Sequence, residues 1–240
     1  MKIPTYFRLM IMILCLMGCL LGARTAAGQD RFAKGPASTQ LSHDELEQFL
    51  KRIEGNFSTI RSLWTEFLQE KHLEIFTEVV KAKGRCIFQS PDRVRFEFTE
   101  PFKSVLIVKD GKVTKYEFLE GKWQKLETGQ QQIILMVLDH ITSWIRGRFA
   151  EKKDVYEIAV EKGDNTRVIL SPKNEKFREH IRSIELLLTK EEKGLKQIII
   201  REPGGDYTQI TFIKEKQNID IPAAVFDGSG PEPRPSDLSG

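Results

Sequence analysis

The stretch Gly84-Arg-Cys-Ile-Phe-Gln-Ser-Pro-Asp-Arg-Val-Arg-Phe-Glu-Phe-Thr-Glu-Pro101, followed by Val105-Leu-Ile-Val-Lys-Asp-Gly-Lys-Val-Thr-Lys-Tyr-Glu-Phe118, decides the fold. Val94, Phe96 and Phe98 alternate with Arg95, Glu97 and Thr99, the period of a strand with one apolar and one polar face. Pro91 and Pro101 bracket that strand, and Asp110-Gly111 supplies a tight hairpin turn. Tyr116 and Phe118 then alternate with Lys115 and Glu117. The reading is an antiparallel meander with an aromatic face, and whatever covers that face bears on function.

Working outward, Leu63 to Lys71 and Leu73 to Val80 read as two strands leading into the meander. Before them, Ser42 with Glu45 forms a capping-box signature, and Leu46, Phe49, Leu50 and Ile53 repeat at helical spacing, with Gly55 as a stop. After them the period changes. From Gln131 to Arg146, Ile134, Val137, Leu138, Ile141, Trp144 and Ile145 follow a helical stripe that Ile133, Leu135 and Met136 widen, and Gly147 ends it. Short strands follow at Tyr156–Val160, Arg167–Leu170, Ile181–Leu188, Leu195–Arg201 and Tyr207–Lys214, joined by turn residues. Strands at this spacing indicate one antiparallel sheet curling toward a barrel. The broad apolar helix facing an aromatic sheet leaves two arrangements open, a lidded apolar pocket or a closed core.

The N-terminus has the parts of a secretory signal: Lys2 and Arg8, an apolar run from Leu9 to Leu21, and small residues from Ala23 to Gly28. Two processing sites are legible. Thr25-Ala-Ala27 fits signal-peptidase cleavage and release of a soluble protein, which is the expectation. Leu16-Met-Gly-Cys19 fits a bacterial lipoprotein box, and cleavage there leaves a chain lipidated and tethered at Cys19. After soluble cleavage Cys86 is the sole cysteine, so no disulfide forms within the chain.

Composition narrows the function. The 37 basic and 34 acidic side chains are interspersed and leave a net charge of +3, so no nucleic-acid footprint stands out. His43, His72, His140 and His180 fall in no zinc-binding spacing and read as ordinary surface or helix residues. The chain has no Gly-x-Ser-x-Gly elbow, phosphate loop or dinucleotide fingerprint. No enzyme, metal or cofactor is expected.

The secretion signal, the capped helix, Phe67-Leu-Gln69, Gly84 leading into Ser90-Pro91-Asp-Arg-Val-Arg-Phe-Glu-Phe98, Pro101 and Lys109-Asp-Gly111 together resemble the LolA-type periplasmic lipoprotein carriers. Leu170-Ser-Pro-Lys173, Ile181-Arg-Ser-Ile-Glu-Leu186, Gly205-Asp-Tyr-Thr-Gln-Ile-Thr-Phe212 and Asn218 to Phe226 follow in the family's order. The resemblance implies a mainly β fold with helices (α+β), an incomplete, curved antiparallel barrel closed by a helical lid over a hydrophobic cavity. It divides the chain into a signal peptide (1–27), a linker (28–40), a half-barrel carrier domain (41–226) and a disordered tail (227–240). Phe67, Val94, Phe96, Phe98, Ile107, Tyr116 and Phe118 become the cavity candidates, and Ile134, Leu138, Ile141 and Trp144 the lid candidates. Many relatives carry an Arg before the proline matched by Pro91, where this chain has Ser90. Arg93 and Arg95 are then the candidates for a latch onto lid carbonyls.

The implied function is a monomeric periplasmic carrier of Gram-negative bacteria. It takes an acylated lipoprotein, or another lipid cargo, from an inner-membrane lipoprotein-releasing ABC transporter to an outer-membrane acceptor. Each buried methylene contributes about 0.8 kcal/mol, so a long acyl chain costs on the order of 10 kcal/mol in water and does not cross a periplasm uncovered. The alternatives are a LolB-type acceptor tethered to the outer membrane through Cys19, and a ligand-free structural envelope protein.

Overall fold

The computed structural model describes residues 39–126 and 131–228. The signal peptide over 1–27, Cys19, the linker as far as 38 and the tail from 229 lie outside the described residues. The meander runs through β2 (Ser62–His72), β3 (Val80–Gln89), β4 (Arg93–Glu100), β5 (Ser104–Lys109), β6 (Lys112–Leu119) and β7 (Lys122–Leu126). The short strands are β8 (Tyr156–Lys162), β9 (Arg167–Pro172), β10 (Ser183–Leu188), β11 (Leu195–Arg201) and β12 (Tyr207–Gln217). With β1 (Thr39–Gln40), which lies in the expected linker, they form one antiparallel sheet in the order β1-β8-β9-β10-β11-β12-β2-β3-β4-β5-β6-β7.

The sheet is open, and its curvature follows from the core. Tyr156, Ile158 and Val160 of β8 share one apolar cluster with Phe96 of β4 and Leu106 and Val108 of β5. β8 and β5 stand eight strand spacings apart in the sheet order, about 38 Å if flat at about 4.8 Å per spacing. Side chains cannot bridge that distance, so the sheet wraps around its contents as an incomplete barrel.

Local chemistry explains the elements. Asp110 (φ 53°) and Gly111 (φ 69°) both adopt the left-handed backbone of a two-residue hairpin turn. Helix α1 (His43–Phe57) opens on Glu45, whose carboxylate accepts from the Ser42 backbone N–H at 2.9 Å and from its hydroxyl at 2.6 Å. α1 runs two residues past the expected stop at Gly55 and buries Phe49, Leu50, Ile53 and Phe57. Helix α2 (Gln131–Ile145) ends at Gly147 (φ 67°), whose N–H donates to the Trp144 carbonyl. A Cβ at Gly147 would lie 2.9 Å from the Ile53 carbonyl oxygen and 2.9 Å from the Phe57 Cβ, so glycine also lets α1 approach.

Of the expected strand Leu73–Val80, residues 73–79 are instead the loop between β2 and β3, and Val80 opens β3. Two of its N–H groups pair outside the ladder: Phe76 donates to the Leu73 carbonyl within the loop and Glu74 to the Asp206 carboxylate before β12. Ile75 and Phe76, apolar enough to imitate a strand, stand 84% and 59% exposed. A four-residue helix α3 (Glu175–Arg178), capped by the Asn174 side chain, precedes β10 where a longer strand was expected.

Candidate functional site

The concave face is set by register. Phe67 pairs with Gly84, and Gly84 with Phe98, while Cys86 pairs with Phe96 and Phe88 with Val94. Phe67, Val94, Phe96 and Phe98 therefore face the interior together and are buried. The Phe67 ring stacks on Phe96 at 4.5 Å and meets Phe98 edge-on at 5.4 Å. Gly84 makes room for it, since a Cβ there would fall 2.3 Å from Phe67 Cζ and 2.1 Å from the Glu97 carbonyl oxygen.

Ile107, Tyr116 and Phe118 were expected on this face, and the register places them on the opposite one. The two-residue turn pairs Lys109 with Lys112, which sets Leu106 against Lys115 and Val105 against Tyr116. Because Phe96 pairs with Leu106, the row that runs inward is Phe96, Leu106 and Lys115. Lys115 and Glu117, whose alternation suggested solvent, thus point inward as a buried ion pair at 2.7 Å. Ile107, supported by partly buried Tyr116 and Trp123, belongs to a second core on the convex side with Trp64, Ile87 and Val105. Phe118 is partly exposed and packs edge-on against Trp123 at 5.5 Å.

That second core is closed by the C-terminal segment, through Ile221, Val225 and Phe226. Arg95, expected as a latch on the lid, holds this segment instead. Its Nη1 donates to the carbonyls of Val225 at 3.1 Å and Gly228 at 2.7 Å, and its Nε lies 3.6 Å from Glu97. Burial pushes the Glu97 carboxyl up, against the opposing pull of Arg95. Lys109 pairs with Asp227 at 2.5 Å, so Asp227 and Gly228, assigned to the tail, are held against the sheet. Arg93 hydrogen-bonds Gln89 at 3.4 Å, a partner at the end of β3 rather than a carbonyl of the lid. The physical reason for the change of role is geometric: Arg95 alternates with the inward Phe96, so it leaves the sheet on the side away from α2.

Between the concave face and the helices lies a cavity of about 170 Å³. α2 contributes His140, Ile141, Trp144 and Ile145, and the end of α1 with the residues beyond it contributes Phe57 and Ile60. The strand side includes Phe96, with Leu63 and Cys86 of β2 and β3, and Ile184, Ile198 and Ile210 of β10–β12. Of the lid candidates, Ile141 and Trp144 line it, whereas the side chains of Ile134 and Leu138 lie outside the described residues. Of the sheet candidates, Phe96 lines it; Phe67 packs behind Phe96, and Phe98 faces a separate cavity of about 290 Å³ with Phe118 and Lys103. Gln69 borders both cavities.

The polar groups of the cavity beneath α2 are few. His140 Nδ1 and the Tyr156 hydroxyl lie 2.9 Å apart, both buried. Burial, aided by Lys152, holds the His140 imidazole below its ordinary value, and burial pushes the Tyr156 hydroxyl well up, so both are neutral at pH 7. Burial also pushes up the Glu215 carboxyl, which accepts from Gln217 Nε2 at 2.6 Å. No Lys or Arg is among the described residues that line the cavity. The arrangement suits an apolar guest. Reading His140 as an ordinary helix residue missed its place here, although it stands one turn before Trp144 on the same face of α2. The isoleucines of β10–β12 were legible as strand residues but not as cavity wall.

No curated protein matches the chain. Among solved structures, the chain is similar to a DUF1329-family protein from Desulfovibrio piger at 12% identity, covering 81% of this chain and 98% of that one, with a TM-score of 0.45. It is similar to a LolA-superfamily protein from Nitrosomonas europaea at 11% identity, covering 74% and 96%, with a TM-score of 0.37. The lipoprotein LppX from Mycobacterium tuberculosis matches at 11% identity, over 75% of this chain and all (100%) of that one, with a TM-score of 0.44. The model of the family described as outer membrane lipoprotein carrier protein LolA matches residues 58–229, nearly the whole of the sheet together with α2 and the C-terminal segment, and this chain belongs to that family.

Proposed function

We propose that this protein is a periplasmic carrier that shelters the acyl chains of a lipoprotein, or of a related lipid, in the cavity beneath α2. It receives its cargo from an inner-membrane releasing transporter and passes it to an outer-membrane acceptor, and it catalyses no reaction. The observation that carries the proposal is the cavity itself. Its strand side is mostly aliphatic and aromatic, α2 covers it with Ile141, Trp144 and Ile145, and burial favours the neutral forms of His140, Tyr156 and Glu215 in its wall. A guest of hydrocarbon character gains by leaving water for such a space, by about 25 cal/mol for each Å² of apolar surface covered.

Intact-mass spectrometry of protein purified from its native envelope tests this. A native-state adduct of acyl-chain or lipoprotein mass, lost on denaturation, is the expected result, with the denatured chain beginning near Gly28. An unadducted chain that also fails to take up added lipid refutes the carrier role. A diacyl or triacyl mass on Cys19 replaces the shuttle with a tethered acceptor.

A further inference from the structure

Glu215 reaches the cavity wall through a break in its strand. Ile213 of β12 pairs with Glu66 of β2 and Lys216 pairs with Trp64, so Lys214 and Glu215 together stand opposite Thr65 alone. This is a β-bulge, and Lys214 adopts the left-handed backbone within it at φ 53°. Unbroken alternation from the inward Phe212 would send Glu215 to the outer face. The bulge reverses that. Lys216 falls in the row of Trp64, which belongs to the convex core, so its neighbour Glu215 turns to the concave side and lines the cavity with Phe212. A lysine at positive φ is backbone strain, which persists only where the surrounding structure imposes it.

The carboxyl is then held in place. Gln217 Nε2 donates to Glu215 Oε1 at 2.6 Å and to the Lys193 carbonyl at 3.0 Å, which ties the group to the β10–β11 turn. Gly194 in that turn leaves the space, since a Cβ there would stand 2.8 Å from Oε1 and 3.5 Å from Oε2. Oε2 has no donor among the described residues and is not one of the fully enclosed polar atoms. The lysines on either side supply no counter-ion: Lys214 pairs with Glu66 at 2.9 Å, and Lys216 lies on the outer face. No Lys or Arg is among the described residues of the wall.

A carboxyl in an apolar wall without a counter-ion is costly as the anion, and a guest that brings a cation with N–H donors offsets that cost. A hydroxyl brings a neutral donor and a weaker bond. A carboxylate guest brings a second negative charge into the same space. An ammonium at the end of an alkyl chain satisfies the carboxyl and the isoleucine wall together. We propose that Glu215 binds the primary ammonium group of an amphiphilic guest, so that the cavity prefers amine-bearing alkyl or acyl lipids to neutral ones and to fatty acids. The inference rests on the carrier reading and names the polar group that the cargo presents. The contact is an ion pair, and no covalent bond is made or broken.

The test is displacement of the neutral dye Nile red from the delipidated protein by dodecylamine, 1-dodecanol and laurate at pH 8. The expected order is dodecylamine at least about tenfold tighter than 1-dodecanol, the low end for a hydrogen bond to a charged group, with laurate weaker than both. Glu215→Gln, which keeps the shape and removes the charge, brings dodecylamine to within about twofold of 1-dodecanol and leaves 1-dodecanol within about twofold of its original affinity. Equal binding of amine and alcohol by the unaltered protein overturns the proposal, whether or not the variant folds. So does an amine preference that survives Glu215→Gln, or laurate binding on a par with dodecylamine. If the protein takes up Nile red but none of the three ligands competes, the carrier reading itself fails, and the role given to Glu215 falls with it.

Discussion

Gly84→Ala is a small change with a large expected cost. The added Cβ would lie 2.1 Å from the Glu97 carbonyl oxygen and 2.3 Å from Phe67 Cζ, both well inside contact distance. The oxygen is backbone in the neighbouring strand and cannot swing away, and the Phe67 ring is fixed by Phe96 at 4.5 Å and Phe98 at 5.4 Å. Overpacking of this kind costs about 1–3 kcal/mol, and loss of the stacked pair adds about 0.5–1.5 kcal/mol. The better strand preference of alanine returns about 0.5–1 kcal/mol. The balance is a loss of roughly 0.5–4 kcal/mol, and the immovable carbonyl places it in the upper half, about 3 kcal/mol. For a domain of this size the midpoint of thermal unfolding falls by roughly 6–12 °C. Urea unfolding of the single variant, of Phe67→Leu and of the double variant measures the coupling. Phe67→Leu should recover part of the loss because it withdraws the ring that the Cβ strikes. A Gly84→Ala protein within about 0.5 kcal/mol of the original would refute the argument, and strict additivity would refute the role given to Phe67.

The other expectations are shorter. Glu117→Gln leaves Lys115 buried and uncompensated and costs about 3–5 kcal/mol in chemical unfolding, whereas Lys115→Met with Glu117→Leu regains most of it; a double variant as unstable as the single one contradicts the ion-pair account. Arg95→Met removes two charge-assisted bonds to the C-terminal segment, worth about 1.5–3 kcal/mol each, and amide exchange over 221–228 should accelerate while that of β10–β12 stays slow. His140 titrates below its ordinary 6.5 in the folded state. From pH 6.5 downward the unfolded chain therefore binds more protons than the folded one, and stability falls with falling pH by up to about 1.4 kcal/mol per unit until the folded group itself protonates. His140→Asn should flatten that limb of the stability profile, and an unchanged profile would mean that the ring is not held neutral.

The meander, both long helices and the placement of five later strands were legible because each rests on local periodicity or a turn. The face on which each residue lands was legible only within a hairpin. The Asp110-Gly111 turn couples Ile107, Tyr116 and Phe118 into one face, and the structure keeps them together. What the sequence left open was the offset across Pro101–Lys103, where β4 passes into β5 by an irregular connection; one residue of slip there sends the whole set to the other side. A signal did exist. Val105-Leu-Ile-Val108 is an unbroken apolar run, the pattern of a strand covered on both faces, and Ile219, Ile221, Val225 and Phe226 were available to cover the second one. Once a convex core is admitted, Arg95 ceases to be a latch and becomes an anchor. The cavity wall was less legible, since the isoleucines of β10–β12 line a space and would look the same if they filled it.

The two arms of the sheet therefore meet the cavity on unequal terms. β4 and β5 are buried on both sides, between the aromatic cluster of Phe67, Phe96 and Phe98 and the core sealed by Val225 and Phe226. Shifting either strand would disturb two packed surfaces at once, together with the Arg95 bonds. β9–β11 are packed on their concave side, and on their outer side the buried Glu185 pairs with Arg201 and Arg167, with no second apolar core among the described residues there. Most of the strand residues that line the cavity come from β10–β12, while Phe96 of β4 joins Leu63, Gln69 and Cys86 of β2 and β3 as the contribution of strands packed on both faces. In the proposed carrier role a guest would lie between a wall packed on both faces and an arm packed against an apolar core on one, under a helix joined to the sheet through side chains that themselves line the space. Room for a larger acyl group would then come at least cost from α2 and β10–β12, while the strands that set the register keep their place.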